Sequence, residues 1–160
     1  MKCKFILVAL FLFLSDIGIS NAQGYKIYQN DNQKYGIKDS NGKIVVQPKY
    51  DDMGEISEGL VPVMVTEFID YFFDYEEFHN WGVVNVMGKE IVSPMYEDIL
   101  PYSEGLAAFQ EKNLWGFLDS NGHVVINPVF SSVGQFNGGK VAVVLNGKSF
   151  YINKQGEKIE

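Results

Sequence analysis

Cysteine is almost missing from this chain. Cys3 is the only one in 160 residues, so no intramolecular disulfide and no Cys-x-x-Cys redox or metal motif can form. Histidine is nearly as scarce: His79 and His123 stand alone, and His123 takes the place that Lys43 and Lys89 hold in parallel segments, which marks a solvated strand edge. Gly-x-Ser-x-Gly, His-Glu-x-x-His and phosphate-cradling glycine loops are absent, so the familiar nucleophilic, zinc and nucleotide chemistries have no motif to rest on. Beyond residue 22 no window of about ten residues has helical periodicity. The longest apolar run, Phe5 to Leu14, falls well short of the roughly 20 residues that span a bilayer. Positive charge is in deficit: 13 Lys and Arg face 20 Asp and Glu, for a net charge of -7. Such a chain repels phosphate backbones and anionic surfaces, which argues against a nucleic-acid partner.

Residues 1–22 follow different rules from the rest. Lys2 and Lys4 precede the apolar run, and Ser20-Asn21-Ala22 supplies small residues where a signal peptidase reads. A secretory signal cleaved before Gln23 is the expectation, with a secreted or periplasmic protein and no membrane span over 23–160. Cleavage removes Cys3 and, with Lys2, Lys4 and Asp16, a net charge of +1, so -7 becomes -8.

Three segments of the remainder align: Tyr35-Gly36 to Gly42, Trp81-Gly82 to Gly88, and Trp115-Gly116 to Gly122. Each runs on to a proline (Pro48, Pro94, Pro128) and an aromatic two residues later (Tyr50, Tyr96, Phe130). Ser57-Glu58-Gly59-Leu60 matches Ser103-Glu104-Gly105-Leu106, and Asn137-Gly138-Gly139-Lys140 is a looser copy. Trp81 and Trp115 are 34 residues apart, Tyr35 and Trp81 46, and a degenerate fourth copy starts at Ser149. A period of this size means a stacked array.

Each unit reads as three short strands, such as Leu106–Gln110, Trp115–Asp119 and His123–Asn127, joined by tight turns and therefore antiparallel. Asn-Gly at 41–42, 121–122 and 146–147 is a strong hairpin signal, since both residues tolerate positive φ. The small Gly116 beside an indole predicts that a neighbouring side chain or backbone packs over that spot. The proline, unable to donate to a ladder, is expected to end strand three. The fold class is all-β: tandem three-stranded antiparallel meanders stacked as an open or partly closed β-solenoid, with a small propeller-like ring as the alternative. The units fall at about 25–59, 60–105, 106–139 and 140–160 within a 23–160 domain.

The aromatic-glycine pair, the Asp/Asn-x-x-Gly hairpin, the Pro-x-aromatic step and the Ser-Glu-Gly-Leu segment together resemble the tryptophan-glycine (WG) repeat family, found mostly in bacterial proteins. The resemblance covers roughly 25–160. Tyr35 replaces the first tryptophan and Ser149-Phe150 the last pair, so the end units look like caps. The resemblance implies an exported or envelope-associated binding repeat and carries over no catalytic site, metal or cofactor.

The acidic pairs Asp51-Asp52 and Glu97-Asp98 are too few per loop to hold calcium, and Ser131-Ser132 replaces them in the third unit. They read as solvated linkers that discourage edge pairing. Glu58 and Glu104 read as partners for loop amides. Alternation with Val83 and Phe117 aims Trp81 and Trp115 into the inter-repeat core.

One stretch escapes the template. Residues 66–79 contain the 12 residues by which the first spacing exceeds the second, and carry Phe68, Tyr71, Phe72, Phe73, Tyr75 and Phe78 among five carboxylates. Two readings follow: a longer hairpin whose aromatics cover a neighbouring strand, or a projecting loop whose aromatics meet a partner. The expected function is a non-catalytic exported module binding or scaffolding a protein partner. Glycan binding by exposed aromatics, Trp81 and Trp115 included, is the alternative. A hydrolase whose two carboxylates meet only in space is a third.

Overall fold

The computed structural model describes residues 24–72 and 74–159. The signal reading of 1–22 and the candidate Phe73 lie outside the described residues. Four antiparallel sheets follow one another along the chain. The first is β1 (Lys26–Gln29), β2 (Tyr35–Lys38) and β3 (Ile44–Tyr50). The second is β4 (Asp52–Met53), β5 (Leu60–Tyr71), β6 (Asp74–Asn85) and β7 (Glu90–Tyr96). The third is β8 (Asp98–Ile99), β9 (Leu106–Glu111), β10 (Leu114–Asp119) and β11 (Val124–Phe130). The fourth is β12 (Ser132–Val133), β13 (Lys140–Leu145), β14 (Lys148–Asn153) and β15 (Lys158–Ile159).

The three-strand meander is therefore present in every unit, and three sheets gain a two-residue strand ahead of it. Two residues carry no periodicity, which is why the pattern of the sequence did not show them. The residue after each motif aromatic starts the step across: Asp51, Glu97 and Ser131 donate their N–H to the carbonyls of Met64, Gln110 and Val144 at 2.9–3.0 Å.

The stacking is linear. One apolar cluster joins sheets one and two around Ile37, Val61 and Val63. A second joins sheets two and three around Val83, Phe109 and Leu118. The third joins sheets three and four around Phe117, Phe130 and Val141. Val83 and Val84 belong to different clusters, as do Leu118 and Phe117. Successive residues point to opposite faces, so the middle sheets are covered on both sides. Accordingly Leu106-Ala107-Ala108-Phe109 is buried throughout, whereas β13 alternates, with Val141 and Val143 buried and Ala142 exposed. The outer faces of the end sheets carry lysine over tyrosine: Lys38 Nζ lies 3.9 Å from the Tyr28 ring centre and Lys140 Nζ 5.0 Å from that of Tyr151. These pairs cover apolar surface and turn charge to water, as caps of an open array must.

The motif glycine and the proline turn out to be one device, and here an expectation is corrected. Strand three does not end at the proline: β3, β7 and β11 each run through it to the aromatic. Trp115 pairs with Phe130 and Phe117 with Ile126, so Gly116 alone opposes Asn127, Pro128 and Val129. This bulge has no ladder position to fill at Pro128, so the missing N–H costs nothing. It crosses directly over the glycine. A Cβ on Gly116 would stand 2.4 Å from the Ile126 oxygen, and one on Gly36 or Gly82 2.5 Å from the Val46 or Val92 oxygen. The bulge also brings the two motif aromatics opposite each other: Tyr35 with Tyr50, Trp81 with Tyr96, Trp115 with Phe130. In the fourth unit Phe150 stands where the glycine would be, and Ser149 where the tryptophan would be, so neither the bulge nor the pair can form there.

The Asn-Gly turns divide into two kinds, a second correction. At 146–147 both residues have positive φ, 50° and 74°, whereas at 41–42 and 121–122 only the glycine does. The latter belong to a loop keyed by the residue three positions before the glycine. Asp119 Oδ1 accepts the N–H groups of Asn121 and His123 at 2.9 and 2.8 Å. Asp39, Asn85 and Asn153 repeat the arrangement. The side chain thereby satisfies turn amides that a tight loop cannot satisfy itself.

Candidate binding site

The 12 extra residues are accommodated by lengthening one hairpin. In the third sheet β9 and β10 turn over at Lys112 and Asn113, both with positive φ. In the second sheet the corresponding positions, Thr66 and His79, are merely a cross-strand pair, and the ladder continues to Tyr71 opposite Asp74. The stretch is thus strand, not loop.

None of the described residues of 67–78 belongs to an apolar cluster of the array, so for Phe68, Tyr71, Phe72, Tyr75 and Phe78 the reading in which the aromatics cover a neighbouring strand is corrected. Exposure runs from 41% at Phe78 to 93% at Phe72, with Phe68, Tyr71 and Tyr75 between. Phe68 and Tyr75 meet at 6.0 Å between ring centres, tilted by 57°. Ile69 is exposed as well; a search confined to aromatics misses it. Cross-strand, the ladder from 67 to 78 sets five apolar side chains against carboxylates: Glu67 with Phe78, Phe68 with Glu77, Ile69 with Glu76, Asp70 with Tyr75, Tyr71 with Asp74. The sequence order conceals this pairing, which only the hairpin register creates.

The base of the hairpin is held by Asp51. Its carboxylate accepts the Thr66 N–H at 3.0 Å and a hydrogen bond from the Lys34 ammonium. Partial burial pushes its pKa up, but Lys34, the Thr66 amide and nearby His79 outweigh that and leave it below the usual value. Thr66 Oγ1 lies 3.3 Å from His79 Nδ1, across the strand. Glu97 does the equivalent job in the third sheet, accepting the Asn113 N–H at 2.8 Å. The first residues of the two acidic pairs are therefore grips on a facing hairpin, which corrects their reading as solvated linkers. Asp98 is different: burial raises its pKa, although its carboxylate also feels the Ile99 N–H.

Because the hairpin is grafted where the short ones turn over, removal of 67–78 with Thr66→Asn and His79→Gly restores the third-sheet geometry. That variant is expected to keep its β-sheet circular dichroism and to stay within about 1 kcal/mol of the parent in urea unfolding. A larger loss would show that the ribbon braces the array.

Glu58 and Glu104 do satisfy loop amides, and across units. The Gly105 N–H donates to Glu58 at 2.8 Å. Those of Gly138 and Gly139 donate to Glu104 at 2.6 and 2.9 Å. Lys154 Nζ adds a contact to the Glu104 carboxylate at 3.2 Å. The Gly139 amide first, then Lys154, hold the Glu104 pKa below the usual carboxylate value against an opposing push from desolvation. A carboxyl with a lower pKa folded than unfolded stabilises above its unfolded pKa, and that stability is lost as pH falls through the folded one. The parent should lose more Tm than Glu104→Gln between about pH 6 and about pH 3, with the two curves converging at the acid end. Parallel curves would refute this role.

Trp81 and Trp115 are half-buried and packed against the second and third clusters respectively, in keeping with their expected direction. Among the described residues no group of three or more His, Cys, Asp and Glu side chains is placed to hold a metal ion.

No protein in a search of curated proteins matches this chain. The family model of the WG containing repeat matches residues 35–66, 81–115 and 115–148. Those stretches begin at the aromatic-glycine pairs whose glycines the bulges cover, and span well over half the sequence. The chain belongs to the WG-repeat family.

Proposed function

We propose that this chain is a non-catalytic, exported repeat scaffold that holds a protein partner on the 66–79 hairpin. One observation carries the reading: a ribbon of exposed aromatics built outside the apolar core of an otherwise regular array. An exposed apolar surface of this kind marks an interaction site. The remaining units supply rigidity, which suits presentation of one irregular element. The tryptophans, half-buried between sheets, are poorly placed to stack on a sugar, so the carbohydrate reading has less support.

The test replaces Phe68, Tyr71, Phe72 and Tyr75 with serine, together. Anchor residues at interfaces contribute about 2 kcal/mol or more each, so capture of the partner from envelope and extracellular fractions should fall below detection. The circular dichroism spectrum should not change. Undiminished capture by this variant would end the proposal. The chain recovered from those fractions should begin at Gln23, and a Met1 terminus would sink the export part.

A further inference from the structure

Past Val65 and Asn80 the β5–β6 ribbon has no paired neighbour on either side among the described residues, since β4 pairs no further along β5 than Met64 and β7 pairs no further back along β6 than Trp81. Backbone direction along its edges follows from the bonds at its base. Asp51 and Gly54 donate to the carbonyls of Met64 and Pro62, and Thr66 donates to Asp51. Even-numbered residues of β5 therefore turn their N–H and C=O groups away from β6. By register their partners Tyr75, Glu77 and His79 turn theirs outward from the opposite edge. The Tyr75 N–H already donates to Asp74 Oδ1 at 2.8 Å; the Tyr75 carbonyl and the N–H and C=O groups of Glu77 and His79 have no strand beside them among the described residues, an edge of the kind that accepts another strand.

The side chains along that edge have an order. Asp74-Tyr75-Glu76-Glu77-Phe78 puts Tyr75 and Glu77 on one face, Glu76 and Phe78 on the other. Asp74 shares the second of these faces, and within Tyr75–Phe78 each face shows one ring and one carboxylate. Tyr71 donates to Glu76 at 3.3 Å and His79 lies 3.6 Å from Glu77, so both carboxylates are held on the ribbon. A strand laid along the edge meets ring, acid, acid, ring, and its complement reads apolar, basic, basic, apolar. Residues 66–79 contain five carboxylates and no lysine or arginine. A second copy of this hairpin would set acids against acids.

Resting on the reading above, we infer that the partner is a cationic β-strand of another protein, apolar-basic-basic-apolar in sequence, added to the β6 edge. Main-chain hydrogen bonds to the Tyr75 carbonyl and to the N–H and C=O of Glu77 hold it, and its basic side chains face Glu76 and Glu77. This mode takes affinity from the backbone and specificity from alternate side chains.

The probe is a fluorescent synthetic peptide carrying two Val-Lys-Lys-Val blocks, titrated onto the mature chain by anisotropy. Binding should saturate, and should weaken about tenfold or more with Glu76→Gln and Glu77→Gln together, or from about 50 to about 300 mM salt. A peptide of the same composition with its lysines gathered at one end should bind about tenfold more weakly. Glu77→Pro should bind about tenfold more weakly than Glu77→Gln, because both lose the charge and only proline loses the outward N–H. On the other edge, Asp70→Pro and Asp70→Asn should bind alike; Pro62 already occupies an outward position of β5. Equal binding of the two peptides by the unmutated chain overturns the proposal, as does equality of Glu77→Pro and Glu77→Gln. So does tight binding of a Val-Glu-Glu-Val peptide. Absence of any peptide binding, beside capture that the serine variant abolishes, overturns the cationic strand and leaves the protein-binding reading standing.

Discussion

Gly116→Ala is expected to destabilise the chain by about 3 kcal/mol or more, measured by urea unfolding, at the upper end of what overpacking costs. The added methyl would meet the Ile126 oxygen at 2.4 Å, the Pro128 nitrogen at 2.8 Å and the Phe109 ring at 2.8 Å. Two of those three atoms are backbone of the bulge. They cannot retreat without breaking the register that seats Trp115 opposite Phe130. Gly82→Ala should behave alike, its methyl meeting the Val92 oxygen at 2.5 Å. A loss below about 1 kcal/mol at Gly116 would mean that the bulge yields, and that the pair is kept for some other reason.

Phe109→Ala comes next, with an expected loss of about 3–5 kcal/mol. Phe109 is 0% exposed and meets the Tyr96 ring at 4.5 Å between ring centres, tilted by 49°. It sits at the centre of the cluster joining sheets two and three, so truncation leaves a cavity where two layers meet. The two substitutions share an atom pair and should not add. Without the Phe109 ring Gly116→Ala loses one of its clashes, and the double variant should be less unstable than the sum of the singles. Strict additivity would show that the clash with the carbonyl accounts for the whole effect at Gly116. The measurement is a double-mutant cycle in urea.

How far the fold was legible depends on how local its cause is. The repeat, the hairpin turns and the antiparallel meander could be read because each leaves a mark within a few residues: a glycine for positive φ at Gly122, the alternation of Trp115 and Phe117 along their strand. The covered glycine at Gly116 was also legible, since a missing side chain beside an indole points to close approach. Proline was misread because its meaning is non-local. The rule that Pro cannot donate to a ladder is correct at Pro128, but the bulge exempts that position, and the bulge exists only through the strand opposite. The grip of Asp51 on Thr66, 15 positions along the chain, and that of Glu97 on Asn113 were invisible for the same reason.

The candidate site shows the same division. Composition singled out 66–79 as the one break in the array, rich in rings and acids. Whether those rings pack or project is not written in any window of residues, because it depends on whether another sheet lies beside them. The described residues of 67–78 extend past where the other hairpins turn over, so no described layer covers them, and register sets Phe68, Tyr71, Tyr75 and Phe78 each across from a carboxylate. Local chemistry and periodicity were enough for the secretory signal's expectation, the repeat and its strands. Which face meets water, which glycine is covered and which edge is left unpaired were decided by the stacking of whole sheets, because burial is a property of neighbours brought together from distant parts of the chain.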